Sequence, residues 1–120
     1  MESSVGLIRH SDRRVAEPYP GVTRQEIVNR ETGAGAISLS YLTIAPGAAV
    51  RVHHHKVEEA MLIVAGEGLG VLGDERFPVK ANETVLAPAG VKHGFINTGS
   101  VPMIVTGNFP AVDIEIIFDE

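Results

Sequence analysis

Two histidines and a glutamate, His53, His55 and Glu59, fall within seven residues of one another in the stretch GAAVRVHHHKVEEAMLIVAG at positions 47–66. On an extended strand, His53 and His55 leave the same face and His54 leaves the opposite one. A turn over residues 56–58 would return the chain as a strand beginning at Glu59, with its carboxylate facing the two imidazoles. His93, in PAGVKHGFIN at positions 88–97, would complete a set of three imidazoles and one carboxylate from a distant strand. Buried polar groups need partners, and a divalent cation is the partner such a set supplies with lone pairs and charge. We expect one divalent transition metal ion per chain, held by His53, His55, Glu59 and His93. Iron, manganese, nickel, zinc, cobalt and copper all suit these donors, so the set leaves the metal open. Four protein ligands leave one or two positions free on an ion that prefers five or six, and that openness is what metal catalysis requires.

The elements that must carry these residues read as short strands. Residues 22–28 alternate imperfectly, residues 37–45 (ISLSYLTIA) are rich in β-branched and aromatic side chains, and Pro46-Gly47 closes them with a turn. The histidine strand, residues 59–64, a glycine-rich run into a strand ending at Leu72, and residues 76–79 after a Gly73-Asp74 hairpin follow. Further strands are expected over 84–87, 93–97, 102–109 and 113–118. Apolar residues nowhere recur at helical spacing over three turns, so the fold class is all-β, a sandwich or barrel. Residues 1–21 lack a sustained period and read as an arm over a barrel of residues 22–118, the whole chain being one domain. His10, in that arm, has no ligand spacing around it and reads as a solvated side chain. Gly66, Gly68 and Gly70 read as hairpin and bulge positions, because no helix follows to make a phosphate loop.

The same residues resemble the cupins. Gly47, His53, His55, Glu59 and Gly66 match the first cupin motif at each fixed position, and Pro88, Gly90, His93 and Asn97 match the second. The leading glycine of the second motif is replaced by Asn82, a residue that tolerates positive φ better than most. The resemblance implies a jelly-roll barrel, or double-stranded β-helix, of the small single-domain metal-binding kind. It also points to a homodimer. It does not select a reaction, because cupin barrels host many.

Composition narrows the partners. The chain of 120 residues has no cysteine, so thiolate ligands and disulfides are excluded. A net charge of −5 with scattered basic residues argues against nucleic acid. The amino terminus lacks a secretory pattern and no run is long enough to span a membrane, so a cytoplasmic location and no membrane partner are expected. The expected partner is a small-molecule substrate or ligand. Strands 22–28 and 114–118 are apolar enough to pair or pack across a two-fold axis in a homodimer.

Alternation also predicts the pocket. Arg51 should share the face of His53 and His55, Met61 and Ile63 that of Glu59, and Phe95 and Asn97 that of His93. Arg51 would either bind an anionic substrate or stand solvated at the rim. Asn97 would either orient an imidazole or hold a turn. The function expected is a metal-dependent enzyme, with Glu59 in a catalytic role, acting on a small oxygen-rich organic substrate by dioxygenase-like cleavage, isomerisation or cyclisation. The alternative is a module that binds or senses a small ligand without turnover.

Overall fold

Among the described residues, eleven strands follow one another: β1 (Ala16–Tyr19), β2 (Val22–Val28), β3 (Ser38–Ile44), β4 (Ala49–His54), β5 (Glu59–Ala65), β6 (Glu67–Leu72), β7 (Glu75–Lys80), β8 (Glu83–Ala87), β9 (His93–Ile96), β10 (Met103–Phe109) and β11 (Ile117–Phe118). They are seen in a computed structural model that describes residues 6–119. The strands form a six-stranded sheet in the order β1-β2-β3-β10-β5-β8 and a five-stranded sheet in the order β11-β4-β9-β6-β7. Every neighbouring pair is antiparallel. The chain passes from one sheet to the other and back, which is the jelly-roll arrangement. Helical structure among the described residues is limited to the 3-10 turns His10–Asp12 and Arg30–Thr32.

Alternation is what places the core. On β3, β5 and β10 one face carries the buried residues, and these grade along the strand. Val22, Ile44, Ile63 and Met103 are almost fully buried at one end of the barrel and make it a closed apolar floor. Toward the other end the inward positions of the same strands turn polar, with Ser40 and Ser38 on β3 and Glu59 on β5. Burial of apolar side chains, worth about 25 cal/mol per Å² of surface removed from water, therefore stabilises the floor. The polar end has to be stabilised by something else.

Three expectations need correction. The segment over residues 113–118 is not one strand: only Ile117–Phe118 pairs, against His54 and His53 of β4, while residues 112–116 cross the open end of the barrel. Residues 1–21 are more than an arm, since β1 adds to the sheet beside β2, with Ala16 opposite Arg24 and Tyr19 opposite Val22. Residues 1–5 of that segment lie outside the described residues. In consequence β2 is no free edge, being paired on one side with β1 and on the other with β3. Asn82 does adopt the left-handed conformation its motif position requires, at φ 71°. His10 is exposed, with its ring edge-on to Tyr41 at 5.0 Å between centroids.

Candidate metal centre

His53 and His55 reach the barrel interior because β4 contains a bulge. Val50 pairs with Phe95 and His53 pairs with His93, so three steps along β4 answer two along β9. One extra residue on one strand reverses the in-and-out order beyond it. Val50 and His53 thus both point inward, and Arg51 does not. Gly94 makes room for the bulge: a Cβ there would stand 2.9 Å from the Val50 carbonyl oxygen. Beyond the bulge the expected parity returns, with His55 buried and His54 turned outward, its Nδ1 3.0 Å from the carboxylate of Asp119. Glu59 opens β5 and His93 opens β9, and both are buried. One potential ligand atom from each of His53, His55, Glu59 and His93 lies within 4.8 Å of the others.

Each imidazole is held by its far nitrogen. Nδ1 of His53 donates to the Arg51 carbonyl at 2.7 Å, that of His55 to the Glu115 carbonyl at 2.7 Å, and that of His93 to the Val91 carbonyl at 3.0 Å. A carbonyl only accepts, so Nδ1 carries the proton in all three rings and Nε2 presents a lone pair toward the centre. The Nε2 atoms of His55 and His93 stand 3.3 Å and 2.9 Å from Glu59 Oε1. In the neutral rings these contacts set lone pair against lone pair, and all three atoms are buried without a hydrogen-bond partner. Only a positive charge between them, a proton or a cation, resolves the arrangement. The donor set and its orphaned atoms fit a divalent transition metal ion.

Electrostatics favours the metal at neutral pH. Burial chiefly, with the neighbouring imidazoles adding to it, lowers the His53 pKa to about 4, so this ring is neutral and ready to coordinate. For His55 burial acts against the charged form, but the Glu59 carboxylate and the Glu115 carbonyl outweigh it and the pKa is raised. For Glu59 burial likewise opposes charge, and His55 and His93 overcome it, keeping the carboxyl ionised below its usual range. A proton on His55 therefore competes with the cation, and where that ring is charged, binding must expel it. Because the His55 pKa is raised, affinity is level above it and falls about tenfold per pH unit below it. A chelator-competition titration from about pH 8 to 5 checks this, and a flat profile would contradict it.

Above the four residues lies a cavity of about 670 Å³, lined by Val50, Met61, Phe95, Val105 and Phe109 around the metal-binding end. Of the expected pocket residues, Met61 and Phe95 are there. Ile63 is not, because one further step along β5 brings it to the apolar floor. Asn97 is also at the floor, with Nδ2 donating to the carbonyls of Ile44 and Val101 at 2.8 Å each and Oδ1 accepting from the Gly99 amide at 2.9 Å. Its structural-turn reading is the one this geometry favours. Arg51 lies outside the cavity with its guanidinium carbon 4.2 Å from the centre of the Phe118 ring, a cation–π contact made possible by β11 pairing beside β4. Sequence reasoning missed Gly107, which pairs with Ser40 on one side and Met61 on the other. A Cβ on Gly107 would lie 2.5 Å from Glu59 Oε2 and 2.9 Å from Ser40 Oγ, so glycine there leaves the space the carboxylate occupies. It also missed the Glu115 carbonyl, which no side-chain pattern could reveal.

Comparison with known proteins agrees with this geometry. A mannose-1-phosphate guanylyltransferase of Klebsiella pneumoniae is 30% identical over 70 residues, covering 57% of this chain but only 15% of that protein. An uncharacterised protein of Methanocaldococcus jannaschii is 34% identical over 67 residues, covering 55% of this chain and 54% of that one. Among solved structures, the oxalate decarboxylase of Lactobacillus farciminis in a formate complex superposes with a TM-score of 0.83 at 20% identity, over 91% of this chain and 34% of that one. The polyketide cyclase RemF of Streptomyces resistomycificus gives 0.79 at 19% identity, over 98% of this chain and 88% of the cyclase. At such identities these structures show the fold alone. The family model described as the cupin domain matches residues 40–109, more than half of the sequence and a span holding all four candidate ligands, and the chain belongs to the cupin family.

Proposed function

We propose that the chain is a metal-dependent enzyme acting on a small oxygen-rich organic substrate, by dioxygenase-like cleavage or by isomerisation or cyclisation. The observation that carries the reading is the convergence of orphaned Nε2 and Oε1 atoms at the inner end of a cavity large enough for such a molecule. His53, His55, His93 and Glu59 would hold one divalent ion, and their Nδ1 hydrogen bonds keep the rings from turning. Bound there, the ion would supply Lewis-acid chemistry, withdrawing charge from a substrate oxygen that becomes anionic. Met61, Phe95, Val105 and Phe109 exclude water beside that oxygen and so strengthen its electrostatic contacts. Glu59 carries the one negative charge of the set, and its depressed pKa keeps it a carboxylate throughout the neutral range. The names of the solved neighbours, a decarboxylase of oxalate and a polyketide cyclase, support small oxygen-bearing substrates.

Elemental analysis of natively purified protein, followed by oxygen uptake on enediols, flavonols and thiols and by anaerobic isomerase assays, tests the reading. Near-stoichiometric metal with turnover of one class is the expected result. Stoichiometric metal and ligand binding without turnover would instead favour a binding or sensing module. That second reading is supported by the sequence match to a segment making up only 15% of a guanylyltransferase.

We also infer a homodimer. One edge of the six-stranded sheet is β8, whose exposed Leu86 lies on the same outer face as the exposed Leu62 and Val64 of β5. Light scattering at micromolar concentration should give twice the chain mass, and a monomer would defeat the inference.

A further inference from the structure

Residues 112–116 border the cavity, with Val112, Ile114 and Ile116 half-buried and Asp113 and Glu115 exposed. Together with residues 117–119, the same segment grips the histidine strand at six consecutive positions, 51–56. Arg51 stands over the Phe118 ring at 4.2 Å, and the Asp119 amide donates to the Val52 carbonyl at 3.4 Å. Phe118 and Ile117 pair with His53 and His54. The Glu115 carbonyl accepts from Nδ1 of His55 at 2.7 Å, and the Glu115 carboxylate meets Lys56 Nζ at 3.2 Å. Without β11, the strand that carries His53 would be the edge of its sheet. This grip is extensive but shallow. No residue from 110 to 119 is fully buried, and β11 is two residues long. The ion pairs Arg30–Asp113, at 2.7 Å, and Lys56–Glu115 join exposed side chains and contribute little in water. Segments held in this way open locally without unfolding the domain.

We propose that residues 112–119 are a strap whose docking and the metal loading of the site stabilise each other, so that metal binding also closes the roof of the cavity. The inference rests on the reading of His53, His55, Glu59 and His93 as a metal centre and adds its regulation. The Glu115 carbonyl is the link. By accepting the Nδ1 proton it fixes the tautomer and the angle of the His55 ring, which keeps Nε2 toward the centre. When the strap detaches, that ring loses its acceptor, and loss of such a partner lowers metal affinity about ten- to a hundredfold. Coupling between two equilibria is reciprocal, so a metal on the centre favours the docked strap by the same factor. His53 and His93 carry no such link, because their acceptors, the carbonyls of Arg51 and Val91, lie only two residues away in the chain. Val112, Ile114 and Ile116 belong to the strap, so the apolar roof over a substrate is complete chiefly on the metal-loaded chain, and substrate follows metal.

Amide hydrogen exchange on the full chain, metal-free and saturated with zinc, tests this. Zinc should slow exchange over residues 112–119 about ten- to a hundredfold. The turn at residues 98–101, held by Asn97 at the floor of the barrel, should exchange at the same rate in both forms. Phe118→Lys combined with Asp119→Lys takes the ring from Arg51 and the carboxylate from His54. In that double variant the metal-free strap should exchange without protection, and zinc affinity should fall about ten- to a hundredfold while the barrel stays folded. Equal strap exchange with and without bound zinc in the wild type would overturn the coupling and leave the metal centre standing. Zinc affinity equal to that of the wild type, in a double variant whose strap exchanges freely, would do the same. Failure of the wild type to bind zinc at all would remove the metal-centre reading and the coupling with it.

Discussion

Glu59→Gln is expected to lower metal affinity by about three orders of magnitude while leaving the barrel folded. Glu59 brings the single negative charge to a buried set of neutral imidazoles, with Oε1 2.9 Å from His93 Nε2 and 3.3 Å from His55 Nε2. Removing one partner of a buried charged pair costs about 3–5 kcal/mol, and each 1.4 kcal/mol is about a factor of ten in affinity. The amide has nearly the same shape, and without metal it spares the protein the burial of a charge, so the melting temperature of the metal-free form should hardly move. Chelator competition and thermal melts on the same samples separate the two quantities. Any turnover should vanish with the metal. An affinity within tenfold of the wild type would mean that the centre is built from the histidines alone. His54→Ala is the matched control and should leave affinity unchanged, because that ring faces Asp119 on the outside.

Gly107→Ala should weaken metal binding about thirtyfold through one methyl group that touches no metal. The added Cβ would stand 2.5 Å from Glu59 Oε2 and 2.9 Å from Ser40 Oγ, closer than real Cβ atoms come to such neighbours. Overpacking of this kind costs about 1–3 kcal/mol, and here the flexible carboxylate yields before the paired strands do. Because Glu59 Oε1 is already against two imidazoles, a carboxylate pushed from the Oε2 side loses its alignment with His55 and His93. Affinity measured as above should fall, with a smaller change in melting temperature. Wild-type affinity and stability in this variant would show that the carboxylate has room the structure does not give it.

Much of the site could be read before folding was considered, and the reasons are local. His53 and His55 share a face because strand side chains alternate, and no distant contact is needed to know it. The same period joins Glu59 to Met61, and Asn82 announces its left-handed turn by its residue type. Strand segments were legible from β-branched runs between turn formers, with β3, β8 and β10 close to expectation. Errors arose where a partner strand decides. Arg51 leaves the face of the histidines because β4 bulges against β9, and the bulge is possible only because Gly94 stands opposite it. Residues 113–116 look like strand but cross the cavity, since only Ile117 and Phe118 find an edge to pair with. Ile63 and Asn97 have the parity of pocket residues and the depth of floor residues, and depth is set by how two sheets stack. The ligand types and their strand-local order belonged to the sequence by itself, because both follow from a period of two. The tertiary structure decided which carbonyl holds His55 and which glycine clears the carboxylate, because each depends on segments brought together from far apart in the chain.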